Sequence, residues 1–143
     1  MDKGFSLIEL LCVLAIISIL TVIAYPSYNE YLVRTRRLDA QTALLHLAGR
    51  LEQYYMREHT YDTATLAHDK THDVLNSNLS PGGWYTLTIE DVKQNTYQLQ
   101  ATPMGSQATQ DTRCQSLTLS NTGIEGIAKG PHGRPTGTSE QCW

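Results

Sequence analysis

The sequence has little charge of either sign to spare. Its 143 residues carry 11 Lys or Arg against 14 Asp or Glu, a formal net charge of −3. Such a balance sets up no global basic field to hold nucleic acid or an anionic membrane by charge alone, which disfavours a dedicated DNA-binding domain, although it leaves room for a local basic patch. Catalytic signatures are lacking too. No nucleophile elbow, P-loop, zinc-protease helix or carboxylate pair at interpretable spacing is present, so no catalytic residue, cofactor or resident metal is expected. The His132 of Pro131-His132-Gly133-Arg134-Pro135 is a lone histidine in a Gly/Pro turn and reads as exposed loop. Five Pro, ten Gly, eight Tyr and two Trp are too structured a mixture for a disordered tail.

The apolar residues are unevenly distributed. Sixteen of the 20 residues from Phe5 to Ala24 are apolar, and as a helix this run is roughly 30 Å long, the thickness of one bilayer core. Its 13 Leu, Ile, Val and Phe contribute roughly −4 to −8 kcal/mol of insertion free energy, against about +3 for one central acid. Insertion wins despite Glu9. Read alone, Glu9 either reaches water near the membrane face or supplies a charge to a partner chain. Taken without further motif, the segment also fits a cleaved signal peptide, with Lys3 as its basic start and Val22-Ile23-Ala24 as a cleavage site. The very short leader, the early acid and the long apolar run argue against that reading.

Lys3-Gly4-Phe5-Ser6-Leu7-Ile8-Glu9 resembles the type IV prepilin signal, in which a basic residue and Gly precede Phe, and Glu stands fifth after the cut. The resemblance implies that a membrane-embedded prepilin peptidase and N-methyltransferase cuts between Gly4 and Phe5, methylates the Phe5 amine and leaves the apolar helix in place. Gly4 has no side chain to obstruct an extended backbone in a tight protease cleft. Glu9 is implied to pair with the Phe5 amine of a neighbouring subunit, because a lone charge in an apolar filament core is costly whereas opposite charges attract strongly there. The leader is shorter than the family's usual six residues or so, which bears on processing efficiency before mechanism. Lys3 places the N-terminus in the cytoplasm, with Arg34, Arg36 and Arg37 mildly opposing that assignment.

Pro26 removes one backbone donor and is expected to kink the helix without ending it. Helical spacing resumes through Tyr31, Leu38 and Leu45, then Leu44, Leu47, Leu51, Tyr54 and Tyr55, so the helix is expected to run from Phe5 to about Met56. Tyr25, Tyr28 and Tyr31 fit an interfacial aromatic belt or packing against neighbouring helices. Arg34, Arg36 and Arg37, with Glu30 and Asp39, read as a solvated face, with a subunit contact as the alternative. From Arg57 to Gly83 periodicity fades into a loop. His59, His68, Asp69, His72 and Asp73 lie there, but nothing fixes a metal-binding geometry and a solvated loop is expected.

Strand alternation appears in Trp84–Glu90, Tyr97–Thr102 and Ser116–Ser120. Leu87, Ile89, Leu99, Leu117 and Leu119 can face one side, where the helix covers them. Cys12 lies within the apolar run and reads as a packing residue. Cys114 and Cys142 are the remaining pair, in the exported part, and are expected to bond. That bond matters because Asn121 to Gln141 has only Ile124, Ile127 and Ala128 as aliphatic residues.

Tyr97-x-Leu99-x-Ala101-x-Pro103, Asp111-x-x-Cys114, Leu117-Thr118-Leu119-x-x-x-Gly123 and terminal Cys142-Trp143 resemble PilE-type minor pilins of Gram-negative bacteria. Pseudopilins of type II secretion share the stem but commonly lack a disulfide-bounded tail. The expectation is an α+β type IV pilin fold, with a long N-terminal helix on a three- or four-stranded antiparallel sheet. Residues 1–4 form the leader, 5–24 the transmembrane or filament-core helix, 25–56 its continuation and 57–143 the head, including the disulfide region 114–142. The implied role is that of a structural, minor pilus subunit supporting assembly, adhesion, twitching motility or DNA uptake. Its implied partners are other pilins, the prepilin peptidase, inner-membrane assembly machinery and, before assembly, lipid. Its implied location is the inner membrane, single-pass with a periplasmic head, and then the extracellular pilus. DNA binding is the chief alternative and is not favoured: over Asn121–Gln141, Lys129 and Arg134 offset Glu125 and Glu140, and Arg113 and Lys93 have Asp111 and Asp91 beside them.

Overall fold

A computed structural model of the chain describes residues 6–68 and 70–143. Lys3, Gly4, Phe5 and Asp69 therefore lie outside the described residues. The chain divides into two compact units between Arg34 and Thr35.

Helix α1 (Leu7–Glu58) runs 52 residues and passes through Pro26. It ends two residues later than its spacing predicts, where His59 adopts a left-handed φ of 57° and its N–H returns to the Tyr55 carbonyl at 2.8 Å. A left-handed residue turns the chain off the helix axis while still satisfying one terminal carbonyl. In the first unit every residue from 6 to 28 is exposed, and α1 is long and apolar enough there to cross a membrane.

In the second unit α1 has a buried face. Ala40, Ala43, Leu44, Leu47, Leu51 and Tyr54 recur every three or four residues and are buried, the stripe that a core-facing helix needs. Leu38 and Leu45 belong to the opposite face and stay exposed.

Strands β1 (Tyr85–Glu90), β2 (Gln98–Pro103), β3 (Ser116–Ser120) and β4 (Glu125–Ala128) form one sheet in chain order, all pairs antiparallel. Two cross-strand rows carry the core: Leu87 opposite Ala101 opposite Leu117 opposite Ile127, and Ile89 opposite Leu99 opposite Leu119. The period-2 alternation puts both rows on one face, and most of these side chains are buried. β4 offers only Ile127 to the core, so it forms because β3 presents a ladder to it and not because its own pattern demands it.

Two short helices escape sequence reading. Helix α2 (Gly105–Gln110) has no apolar stripe and buries Gln107 and Ala108. Helix α3 (Ser139–Cys142) opens with a capping box between Thr138 and Gln141. The stretch 57–83 is less solvated than its composition implies, since Tyr61, Ala64, Val74 and Ser80 are buried.

Candidate functional site

Two regions carry functional chemistry, one in each unit. In the first, Glu9 sits in the opening turn of α1, exposed among the apolar side chains of Leu7, Ile8, Leu10 and Leu11. The polar hydroxyls of this stretch are satisfied within the helix: Ser18 donates to the Leu14 carbonyl at 2.7 Å and Thr21 to that of Ile17 at 2.8 Å. Folding back onto the helix removes their demand for water, so the surface presented is apolar apart from Glu9. Such a surface is stable only against lipid or against other apolar helices. Cys12 is a free, exposed thiol in the same stretch.

The second region is the junction of α1, α2 and the carboxy-terminal tail. Arg37 Nε and Nη2 donate to Asp111 Oδ2 and Oδ1 at 2.7 and 2.8 Å. The arginine side chain is 13% exposed and the aspartate fully buried. Gln107 Nε2 donates to Asp111 Oδ2 at 3.2 Å and to the Tyr85 hydroxyl at 2.9 Å. The backbone N–H of Cys114 donates to Asp111 Oδ1 at 3.1 Å. Burial pushes the Tyr85 phenol well above its ordinary range, although the Gln107 hydrogen bond pulls it back in part.

The solvated reading of the arginine face is thereby corrected. Arg37 is consumed by Asp111. Arg36 lies over the Trp84 ring, 3.7 Å from its centroid, and donates to Ser106 and Gln110 at 3.3 and 3.1 Å. Asp39 accepts the Gly82 N–H at 3.0 Å. Only Arg34 keeps the expected setting, in an exposed pair with Glu30 at 3.8 Å. Helical periodicity assigns a face but not what covers it, and here α2 and the 80–84 turn do so. Asp111-x-x-Cys114 was the one sequence signal for the buried acid.

Cys114 and Cys142 form the expected disulfide, with Cα atoms 5.6 Å apart and both residues buried. Gln41 Nε2 donates to the Cys142 carbonyl at 3.0 Å, and Trp143 Nε1 to that of Gly126 at 2.8 Å. Gly137 N–H donates to the Arg113 carbonyl at 2.8 Å. The tail is thus held by a crosslink and polar contacts, as its poverty in aliphatics requires. Arg113, Lys129, His132 and Arg134 are exposed on it, as are Glu125 and Glu140.

The loop histidines are not gathered into a metal centre. Among the described residues no group of three His, Cys, Asp or Glu could hold an ion. Asp73 instead accepts from the Thr65 hydroxyl at 2.7 Å and the His68 N–H at 3.0 Å, while His72 Nδ1 lies 3.0 Å from the Tyr54 hydroxyl. Beside this loop, Tyr61 and Tyr97 both donate to Glu52 Oε1, at 2.9 and 3.1 Å. Tyr61 stacks on Tyr55 with centroids 4.6 Å apart and meets Tyr97 edge-on at 4.8 Å. Burial, reinforced by the Glu52 carboxylate, pushes the Tyr61 phenol up to about 12.

Known proteins match both regions. Residues 1–25 fit the prokaryotic N-terminal methylation motif, and residues 26–118 fit the family described as type IV minor pilin ComP, DNA uptake sequence receptor. The chain belongs to the type IV minor pilin family. A fimbrial protein of Pseudomonas aeruginosa is 34% identical to this pilin over 104 residues, covering 71% of this chain and 68% of that one. The fimbrial protein EcpC of Eikenella corrodens is 43% identical over 54 residues, 38% of the pilin and only 35% of EcpC. The match thus spans about a third of that relative. The crystal structure of the non-core minor pilin PilV of Neisseria meningitidis shares the fold, with a TM-score of 0.52 and 24% identity over 75% of this pilin and 97% of PilV. The pilin accordingly belongs to a family of structural pilus subunits. Its methylation motif marks it as a substrate of prepilin processing.

Proposed function

We propose that this minor pilin waits in the bacterial inner membrane, spanning it once through residues 5–24 with its head in the periplasm, and is drawn into the pilus by inner-membrane assembly machinery. Cleavage between Gly4 and Phe5 and methylation of Phe5 precede assembly, and Glu9 then pairs with the Phe5 amine of a neighbouring copy. The observation that carries this reading is the lone acid in the exposed, otherwise apolar opening of α1. Transfer from lipid to a bundle of like helices exchanges one apolar setting for another at little hydrophobic cost, so the process can run in both directions under an ATPase. Glu9→Val is expected to leave membrane insertion intact and to reduce the pilin in sheared filaments at least about tenfold, the size of effect an unpaired buried charge produces. Unchanged incorporation, read by immunoblot of sheared and membrane fractions, would remove the pairing role.

A second reading, DNA capture by the head, is favoured by the family whose description includes DNA uptake. The fold also alters the charge balance that disfavoured it. Asp111 is buried and engaged by Arg37, so it does not offset the exposed Arg113, although Lys129 and Arg134 still share the exposed surface with Glu125 and Glu140. Three phosphate contacts give an affinity that falls with salt at a log–log slope of about −3. Anisotropy of labelled duplex DNA with the detergent-solubilised pilin is expected to show that slope, and the triple change of Arg113, Lys129 and Arg134 to Ala to flatten it. A salt-independent signal would rule out phosphate engagement by these residues.

A further inference from the structure

One turn of α1 touches both halves of the disulfide. Arg37 grips Asp111 through two hydrogen bonds of 2.7 and 2.8 Å, and the same carboxylate receives the Cys114 N–H at 3.1 Å. Four residues further along, Gln41 holds the Cys142 carbonyl at 3.0 Å. Side chains four apart on a helix start about 5–6 Å from each other on one face. The two cysteine Cα atoms are 5.6 Å apart, within the span that a disulfide bridges. One turn of the helix thus meets Cys142 directly through Gln41 and Cys114 through Asp111.

We infer that this turn of α1 is a template for oxidation: Arg37, acting through Asp111, and Gln41 hold Cys114 and Cys142 in register before the sulfurs join. Asp111 and Gln41 are positioning residues, since neither touches sulfur in the contacts described. The templated step is ordinary thiol–disulfide exchange. One cysteine thiolate attacks a disulfide oxidant such as oxidised glutathione, forming a mixed disulfide and releasing one reduced glutathione. The second cysteine thiolate then attacks the protein sulfur of that mixed disulfide and expels the other glutathione as thiolate, which takes up a proton. Two protein thiols are oxidised by two electrons and one oxidant disulfide is reduced. The template acts on the second, intramolecular attack, whose rate and equilibrium depend on how often the two sulfurs meet.

Elsewhere the tail is poorly equipped to bring Cys142 home. Its aliphatic residues are Ile124, Ile127 and Ala128, Ile124 is 70% exposed, and 28 residues separate the two cysteines. A loop of that length closes against a real entropic cost, and the polar anchors on α1 add to the Gly137–Arg113 and Trp143–Gly126 hydrogen bonds in meeting it.

The test is the effective concentration of the two thiols in the full-length, detergent-solubilised protein, carrying Cys12→Ser to leave one dithiol pair. The protein is equilibrated in reduced and oxidised glutathione, quenched in acid, and its free thiols counted by alkylation and mass spectrometry. Gln41→Ala, which leaves the core intact, is expected to lower the effective concentration about fivefold, the share of one hydrogen bond. Asp111→Asn is expected to lower it at least about a hundredfold. Because Gln41 can help only while Asp111 keeps Cys114 in place, its fivefold share disappears once Asp111 is changed, and the double variant should be little worse than Asp111→Asn alone. Leu119→Ala, a core change away from both anchors, serves as the reference for general destabilisation. An effective concentration within twofold of the parent in Gln41→Ala, strictly multiplicative losses in the double variant, or an equal loss in Leu119→Ala would each overturn the template and leave only an ordinary buried ion pair.

Discussion

At the scale of single residues, the arginines of α1 behave according to what covers them. Arg34 and Glu30 are both mostly exposed, and a pair in that setting is worth little after side-chain entropy and screening. Arg37 and Asp111 are removed from water together. Deleting one partner leaves the other as an uncompensated buried charge, so Arg37→Ala is expected to cost about 3–5 kcal/mol of stability. Arg34→Ala is expected to stay within about 0.5 kcal/mol of the parent, both read by urea unfolding. None of this contrast is visible in the run Arg34-x-Arg36-Arg37, where charge type and spacing are alike. Cys114 and Cys142 were legible, because once Cys12 is assigned to the apolar run no other pair remains. Glu9 was legible as an anomaly for the converse reason, being the only acid between Phe5 and Ala24.

Among elements, the long helix and three strands declared themselves by periodicity, since Leu44, Leu47 and Leu51 on α1 and Leu87, Leu99 and Leu117 on the sheet fill one core. β4 and α2 did not, because β4 depends on its neighbour's ladder and α2 on burying Gln107, a residue that no hydrophobic pattern selects. The polar composition of the 57–83 loop likewise hides Tyr61, which together with Tyr97 of the β1–β2 segment is tied to α1 through Glu52. That tie has a pH signature. An unfolded tyrosine ionises near pH 10, whereas Tyr61 is held up to about 12 and Tyr97 is raised as well, by burial first and then by Glu52. Above pH ~10 the unfolded chain loses protons that the folded one keeps, so the stabilisation is complete below that value and is lost as pH climbs through the folded value. Circular dichroism against pH is expected to show stability falling between about pH 10 and 12, with tyrosinate absorbance at 295 nm from Tyr61 and Tyr97 delayed until the fold gives way. Ionisation of both phenols in the intact fold near pH 10 would contradict the tie.

For the whole molecule, one unit offers a helix whose described residues 6–28 are all exposed, and the other is an α+β head closed by a disulfide. Membership of the type IV minor pilin family fits that division, and under the proposed function the uncovered helix is the part that lipid and then the filament would bury. The account therefore depends on the helix surviving maturation. The most direct measurement is the intact mass and N-terminal sequence of the pilin recovered from membranes and sheared pili. The expected product begins at N-methylated Phe5, retains the apolar helix, and is lighter by the two hydrogens lost in the Cys114–Cys142 bond. A mature chain beginning at Tyr25, free of the apolar segment, would contradict it.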